Sequence, residues 1–300
     1  MAMLALILIG SGAASPGEDA RSGPRVLTVE DILKLSIPAA DHQIPYGDDP
    51  QEFGELRLPK GPGPYPVAIV IHGGCWLSEY NLHHIASFSA ALTGLGIATW
   101  SLEYRRVGNA GGGWPGTFAD IARGSDYLRV LARDYPLDLG RIVAVGHSAG
   151  GQLALWLAAR HRLRRDSPLF LGEPLRLGGV VSLAGVVDLR RALEEQVCQD
   201  SVQKLLGGPP AEVGERYEQA SPAELLPLGI PQRILHGSLD KIVPLGQGRD
   251  YVAAAKSRGD DARLTLVRDA GHFEFVVPES VSWPVVREAV LSLLGIAGHN

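Results

Sequence analysis

The pentapeptide Gly146-His147-Ser148-Ala149-Gly150 constrains the fold of this chain more than any other segment. It follows a mainly apolar run at 141–145 and precedes a helix-forming run at 152–159. A chain that turns from a strand into a helix within one residue holds that residue, Ser148, in a strained conformation, and only small neighbours let the two backbones pass. The pentapeptide therefore predicts a strand, a sharp turn and a helix, with the Ser148 hydroxyl exposed as a candidate nucleophile.

A nucleophilic serine needs a base, and an acid that orients the base. Asp240 lies in the segment 233–244, an apolar strand that ends in a Gly-containing turn, and His272 follows the strand predicted at 264–267. Both side chains are expected at the carboxyl edge of one sheet. The chain order Ser, Asp, His is that of the α/β-hydrolases. Asp188 is the alternative acid, with a less favourable turn and spacing.

Donors for a negatively charged oxygen are expected from the loop His72-Gly73-Gly74-Cys75-Trp76, which follows an apolar strand predicted at 66–71. Its paired glycines allow main-chain N–H groups to converge on one point, in the manner of an HGGG-type loop. The N–H groups of Gly74 and Cys75, together with that of Ala149, are the candidate oxyanion donors. Each such donor can be worth about 3 kcal/mol of barrier.

The His-Gly-Gly-x-Trp loop resembles that of kynurenine formamidases (arylformamidases) and related bacterial carboxylesterases, within the esterase group of the α/β-hydrolases. The resemblance covers about residues 42 to 295 and includes the fragments Tyr46–Gln51, Leu102–Arg105 and Asp138–Ile142. It implies a serine hydrolase that cleaves a small carboxylic ester or an aryl formamide through an acyl-enzyme. The same loop string occurs in hydrolases of different acyl groups, so it does not by itself select a formamide.

The resemblance also assigns roles to residues of this sequence. Ser148 is expected to be the nucleophile, Asp240 the acid and His272 the base. The oxyanion positions are those of the two loops described above: Gly74, Cys75 and Ala149.

Strand-like and helix-like segments alternate along most of the chain, which predicts a mostly parallel central sheet with helices on both faces. The α/β-hydrolase domain is expected at 42–297. The alternation breaks at 188–229, where the sequence Gly207-Gly208-Pro209-Pro210 suggests a hinge. We therefore interpret 188–229 as a small lid over the site.

The composition and charge are typical of a globular enzyme that acts on a small neutral substrate, and the motifs above make that substrate an acyl compound. The 300 residues are 45% hydrophobic and 20% charged, enough to bury one large core. A net charge of −5 and a pI near 6.0 offer no basic surface for nucleic acid or an anionic membrane. No Cys, His and carboxylate cluster has metal-ligand spacing, so no metal or other cofactor is expected.

The first residues have the outline of a signal peptide at 1–14, followed by an N-terminal extension at 15–41. An apolar run at 1–9 precedes the small residues of Gly12-Ala13-Ala14-Ser15. This predicts export to the periplasm or the medium. No Lys or Arg precedes the apolar run, so a simple tail on a cytoplasmic protein is the alternative. The run is too short for a transmembrane helix, and no membrane insertion is expected.

The two cysteines are expected to be free thiols, because Cys75 lies in the oxyanion loop and Cys198 lies far away in a polar stretch. Cys75 is not expected to be the nucleophile, since Ser148 would then have no role. Trp76 and Trp114 are candidates for lining the substrate pocket, with packing in the core as the alternative.

The other histidines near these loops are expected to have structural roles. His72, His147 and His236 adjoin the candidate loops, where a polar ring can hydrogen-bond the backbone. His83 and His84 begin a predicted helix and are expected to be solvated.

Two functional alternatives remain at the level of sequence. Export would favour a polysaccharide-deacylating or feruloyl-type esterase. A non-catalytic protein that uses the same fold for binding is the alternative of another class. The complete set of Ser, Asp and His argues against it.

Overall fold

An eight-stranded sheet forms the centre of the residues that the computed structural model describes, which are 25–297. The signal peptide predicted at 1–14 lies outside these residues. The strands are β1 (His42–Pro45), β2 (Phe53–Arg57), β3 (Tyr65–Ile71), β4 (Ala98–Leu102), β5 (Leu137–His147), β6 (Gly179–Leu183), β7 (Gln232–Gly237) and β8 (Ala262–Val267).

The strand order is β1-β2-β4-β3-β5-β6-β7-β8. The first two strands pair antiparallel, and β2 pairs antiparallel with β4, while all the other neighbours are parallel. The mostly parallel sheet predicted from the sequence is confirmed. The alternation of polar and apolar residues at 53–58 predicts an edge strand, but β2 is not at the edge, because β1 pairs along its outer side.

Ten α-helices connect and cover the strands within the described residues. They are α1 (Val29–Leu33), α2 (Ala86–Gly94), α3 (Gly116–Asp126), α4 (Leu128–Asp134), α5 (Ala149–Ala159), α6 (Leu189–Glu194), α7 (Ser201–Leu206), α8 (Pro210–Ala220), α9 (Leu245–Ser257) and α10 (Trp283–Leu293). Short 3₁₀ turns lie at Leu82–Ile85, Arg160–Arg162 and Phe273–Val276. The segment 117–134 forms two helices, not the single helix that its periodicity predicts. No helix within 25–297 is long and apolar enough to cross a membrane.

The sheet has a packed core on each face, as the buried strand β3 shows. All seven of its residues are buried. Because side chains alternate along a strand, Ile69 belongs to one core cluster together with Trp156 of α5, and Val70 belongs to the other together with Phe88 of α2. Both faces are therefore covered by helices, and loops at the strand ends are held by a rigid support.

The parallel register brings the ends of four strands to one edge. Ile71, at the end of β3, pairs with Gly146 of β5, and Gly237, at the end of β7, pairs with Val267 of β8. Loops that leave these positions start side by side. This edge is where an open α/β sheet binds its ligands.

Candidate active site

The turn between β5 and α5 has the strain that the pentapeptide predicts. Ser148 has φ 55° and ψ −119°, a conformation that non-glycine residues rarely adopt. Its N–H donates to the Leu183 carbonyl oxygen at 2.8 Å. A Cβ on Gly146 would overlap the Gly150 carbonyl oxygen, and one on Gly150 would overlap the Ile71 carbonyl oxygen. Both glycines are therefore sterically required, and the serine is held at the carboxyl edge.

Asp240 and His272 form a direct hydrogen-bonded pair. Nδ1 of His272 lies 2.8 Å from Oδ2 of Asp240, and both side chains are almost fully buried. The other Asp240 oxygen accepts the N–H groups of Ile242 and Val243, at 2.8 and 3.0 Å. Since the carboxylate accepts the Nδ1 proton, Nε2 of His272 is left as the basic nitrogen.

The charge of Asp240 is stabilised by its partners. Burial opposes ionisation, but the hydrogen bond from His272, the charge of that imidazole and the two backbone N–H groups hold the Asp240 pKa below its usual value. The alternative acid, Asp188, instead caps α6 by accepting the N–H groups of Arg190 and Arg191. The structure therefore pairs the candidate base with Asp240.

Ser148 and His272 line the same cavity, which has a volume of about 420 Å³. Gly74 and Cys75 of the oxyanion loop line it as well. No hydrogen bond joins Ser148 to His272 in the described part of the chain, although such bonds are often long in ligand-free sites and tighten when substrate binds. The cavity thus brings together the candidate nucleophile, the candidate base and two of the three candidate oxyanion residues.

The oxyanion loop passes directly beside the nucleophile turn. A Cβ on Gly73 would lie 2.8 Å from the His147 carbonyl oxygen and 3.1 Å from the Ser148 Cβ. The next three residues all have left-handed backbone, with φ of 106° at Gly74, 52° at Cys75 and 57° at Trp76. Left-handed conformations at two consecutive non-glycine residues are costly, and they persist only where the surroundings hold them.

A buried polar network holds the start of this loop. His72 Nε2 lies 3.0 Å from Oε1 of Glu103, and the Tyr104 hydroxyl donates to the His72 carbonyl oxygen at 3.0 Å. Burial opposes the charge of Glu103, but His72 and Arg106 beside it keep its pKa below the usual value. His72 therefore has the structural role that the sequence predicts.

A sequence model of the BD-FAE family matches residues 55–254, which are more than half of the chain. The chain belongs to the BD-FAE family. This is an esterase family of α/β-hydrolase type, so the fold and the esterase resemblance predicted from the sequence are confirmed.

Individual relatives of the BD-FAE chain are distant. Probable dipeptidyl-peptidase 5 of Emericella nidulans is 24% identical over 254 residues, 79% of this chain and 32% of that protein. Esterase LipC of Mycobacterium tuberculosis is 26% identical over 247 residues, 77% of this chain and 59% of LipC. The chain spans less than two thirds of either relative. An inhibited esterase B from Lactobacillus rhamnosis has a similar structure, with a TM-score of 0.72, 21% identity and coverage of 87% of this chain and 88% of that one.

The cysteines of the BD-FAE chain are not the free thiols expected from the sequence. Cys75 and Cys198 form a disulfide, with their Cα atoms 5.7 Å apart and a sequence separation of 123. The prediction was wrong because sequence separation says nothing about how the 188–229 segment folds back. Cys198 lies between α6 and α7, and this segment packs beside the oxyanion loop. The disulfide thus ties a candidate oxyanion residue to the predicted lid.

Trp76 does not line the cavity, which corrects its assignment as a pocket residue. Its side chain is fully buried, and its indole N–H donates to Oε1 of Gln152 on α5 at 3.0 Å. The left-handed backbone at this position turns the ring into the core. Trp114 also packs against the core, with its ring 5.8 Å from that of Phe118.

His84 is buried and not solvated, contrary to the sequence-based expectation. Its Nε2 lies 2.8 Å from Nδ1 of His147, and Nε2 of His147 lies 2.9 Å from the carbonyl oxygen of His272. Because a carbonyl only accepts, His147 donates from Nε2 and accepts from His84 at Nδ1. Burial lowers the His84 pKa to about 3, and it also lowers the His147 pKa well below its usual value. Two neutral histidines therefore fix the backbone of the candidate base.

The N-terminal segment 26–30 forms a wall of the cavity, and the sequence analysis did not find it. The only available signal was the three apolar residues Val26, Leu27 and Val29, too few for a period to show. None of the residues that line this cavity belongs to 188–229. That segment reaches the site through Cys198, and its action as a lid stays a prediction.

Proposed function

We propose that this chain hydrolyses small carboxylic esters through an acyl-enzyme formed on Ser148. One observation carries the proposal: a serine at a strained strand-to-helix turn lines the same cavity as His272, whose Nδ1 is hydrogen-bonded to Asp240. Membership in an esterase family supports the class of bond.

The proposed mechanism has two balanced halves. Nε2 of His272 takes the Ser148 proton as Oγ attacks the ester carbonyl carbon. The negative oxygen accepts hydrogen bonds from the N–H groups of Gly74, Cys75 and Ala149. When the intermediate collapses, the alcohol leaves with the proton from His272. Water then attacks the acyl group in the same way, which releases the acid and restores Ser148. Asp240 stabilises the imidazolium that forms in each half.

We expect short acyl groups to be preferred. The cavity of about 420 Å³ lies near the lower end of the range of about 300–1,000 Å³ for small-molecule sites. Acetyl or butyryl esters of p-nitrophenol should be cleaved at least about tenfold faster than the palmitoyl ester, with no activation at a lipid interface. The measurement is kcat/KM across a series of acyl lengths. Palmitoyl turnover equal to that of butyryl would contradict this size limit.

The same series should include N-formylkynurenine, because the resemblance of the oxyanion loop to that of kynurenine formamidases makes an aryl formamide the second candidate. If the formamide is the true substrate, its kcat/KM should exceed that of p-nitrophenyl acetate despite the poorer leaving group. Acetylated and feruloylated sugars test the polysaccharide alternative, and a dipeptidyl anilide tests the activity named for the Emericella relative. Slower turnover of the formamide than of the simple ester would contradict the formamidase hypothesis and favour a general esterase.

We also propose that the protein matures outside the cytoplasm. Disulfides form and persist in oxidising compartments, so the bond between Cys75 and Cys198 supports the export suggested by the N-terminal sequence. Protein isolated from its native host should begin near Ser15, and its cysteines should resist alkylation until a reductant is added. N-terminal sequencing and thiol labelling measure both. A cytosolic chain with Met1 intact and two reactive thiols would make 1–14 a simple tail.

A further inference from the structure

The wall formed by residues 26–30, here called the N-terminal wall, presents apolar side chains to the cavity. Val26, Leu27 and Val29 are half-buried, while Thr28 and Glu30 are exposed. The proposed chemistry requires none of these side chains. Yet Val26, Leu27 and Val29 retain accessible apolar surface within the cavity that contains Ser148, which is where a substrate must lie.

The N-terminal wall is fixed to the loop of the candidate base by one carboxylate. The Leu27 N–H donates to Oε1 of Glu274 at 2.7 Å, and the Gly271 N–H donates to Oε2 of the same side chain at 2.9 Å. Glu274 is only 4% exposed, which makes these bonds well protected from water. A Cβ on Gly271 would lie 3.0 Å from the Val26 Cβ. The wall is therefore hydrogen-bonded, through Glu274, to the loop that carries His272.

The other end of the wall is anchored in the core. Thr28 and Asp31 form a capping box at the start of α1, with the Thr28 N–H donating to Asp31 at 3.1 Å. One turn later, Ile32 is 3% exposed and belongs to the core cluster on the α2 face of the sheet. The wall is thus held by Glu274 at Leu27 and by the core at Ile32. These contacts give it a defined position in the cavity.

Apolar residues from other segments complete the same space. Leu239 and Ile242 flank Asp240 on either side, and Phe273 follows His272, all three lining the cavity. The charged lining residues, Glu30 and Lys241, are exposed. Apolar side chains therefore line much of the cavity, and its two charged side chains, Glu30 and Lys241, lie where solvent reaches them.

From these contacts we infer that Val26, Leu27 and Val29 bind the apolar part of the ester and set the largest group that the enzyme accepts. This inference rests on the proposed ester hydrolysis by Ser148. The substrate class that fits is an ester with one compact, uncharged apolar group, such as a short acyl chain or a single aryl ring. Leu27 is the central residue, because its own N–H is held by Glu274.

The test changes the size of Leu27 in both directions. Leu27→Trp should lower the ratio of hexanoate to acetate kcat/KM for p-nitrophenyl esters by at least about tenfold, mainly through KM. Leu27→Ala should raise that ratio about threefold or more. Leu33 provides the matched control, because it lies on α1, is 61% exposed and does not line the cavity. Leu33→Trp and Leu33→Ala should leave the ratio within about twofold of the wild type.

A second readout separates this inference from the proposed function. This readout is the rate at which Ser148 is labelled by a bulky and by a small alkyl fluorophosphonate. The ratio of the bulky to the small rate should fall in Leu27→Trp and rise in Leu27→Ala, as the ratio of hexanoate to acetate does. If no ester is cleaved but this labelling ratio shifts, the proposed ester hydrolysis is contradicted and the inference about the N-terminal wall is supported. If both ratios are the same in the Leu27 variants as in the Leu33 variants, the inference is overturned. Should Leu27→Trp not fold, Leu27→Ala and Val29→Ala decide the matter through the same ratios.

Discussion

Replacing Ser148 with alanine should reduce ester turnover by on the order of 10⁶, because the covalent route passes through this one oxygen. The fold should survive, since the change removes a single atom and the strained turn is enforced by Gly146 and Gly150. A fluorophosphonate probe should label the wild-type protein and fail to label the variant. Ser257→Ala is the matched control, because Ser257 is an exposed serine at the end of α9. It should leave both turnover and labelling unchanged.

Two outcomes would count against this role. Equal labelling of the wild type and of Ser148→Ala would assign the reactive oxygen to another residue. Tight binding of esters with no turnover by the wild type would favour the non-catalytic alternative.

Asp240→Asn should lower kcat/KM by about 10⁴, because an amide would favour the wrong tautomer of the His272 imidazole. The asparagine oxygen can still accept the N–H groups of Ile242 and Val243, so the turn should keep its shape. Asp188→Asn is the matched control, since Asp188 caps α6 while His272 Nδ1 is hydrogen-bonded to Asp240. It should change the rate little. A reversal of the two effects would move the acid role to Asp188.

The charge of Asp240 at each pH follows from its lowered pKa. His272 and two backbone N–H groups hold it below the usual value near 3.9, so the carboxylate stays charged in the folded protein under mildly acidic conditions. The stability that its lowered pKa contributes is present above the unfolded pKa and is lost as the pH falls through the folded one. Asp240 should therefore be a carboxylate from about pH 8 down to about pH 5, so the infrared spectrum of the wild type minus that of Asp240→Asn should show no protonated-carboxyl band in this range. Such a band appearing well above pH 5 would contradict the lowered pKa.

The local motifs could be interpreted from the sequence because each depends on a few adjacent residues. The strain at Ser148 follows from the glycines beside it, and the edge position of Asp240 and His272 follows from the alternation of strands and helices. These inferences need no knowledge of which distant segments meet. The break between α3 and α4 was not predictable, because Tyr127 between them keeps helical φ and ψ of −62° and −18° and the apolar periodicity continues through it.

Three features that were not predicted from the sequence depend on contacts between distant residues. Cys75 meets Cys198, His84 meets His147, and Leu27 meets Glu274 across 247 residues. Nothing in the neighbourhood of any of these residues signals its partner. The pocket position predicted for Trp76 was wrong for another reason. Its backbone is left-handed, with φ of 57°, and its side chain lies in the core instead of the cavity.

The disulfide makes the chain between Cys75 and Cys198 a closed covalent ring. This ring contains Ser148, whereas Asp240 and His272 lie on the open chain beyond it. The turn at 164–166 is an exposed part of the ring and carries two arginines, as a trypsin-like protease requires. A single cut there leaves both fragments joined through the sulfurs, so the nucleophile strand remains attached to the rest of the enzyme. An oxidised protein nicked at this turn still migrates as one species until a reductant opens the ring.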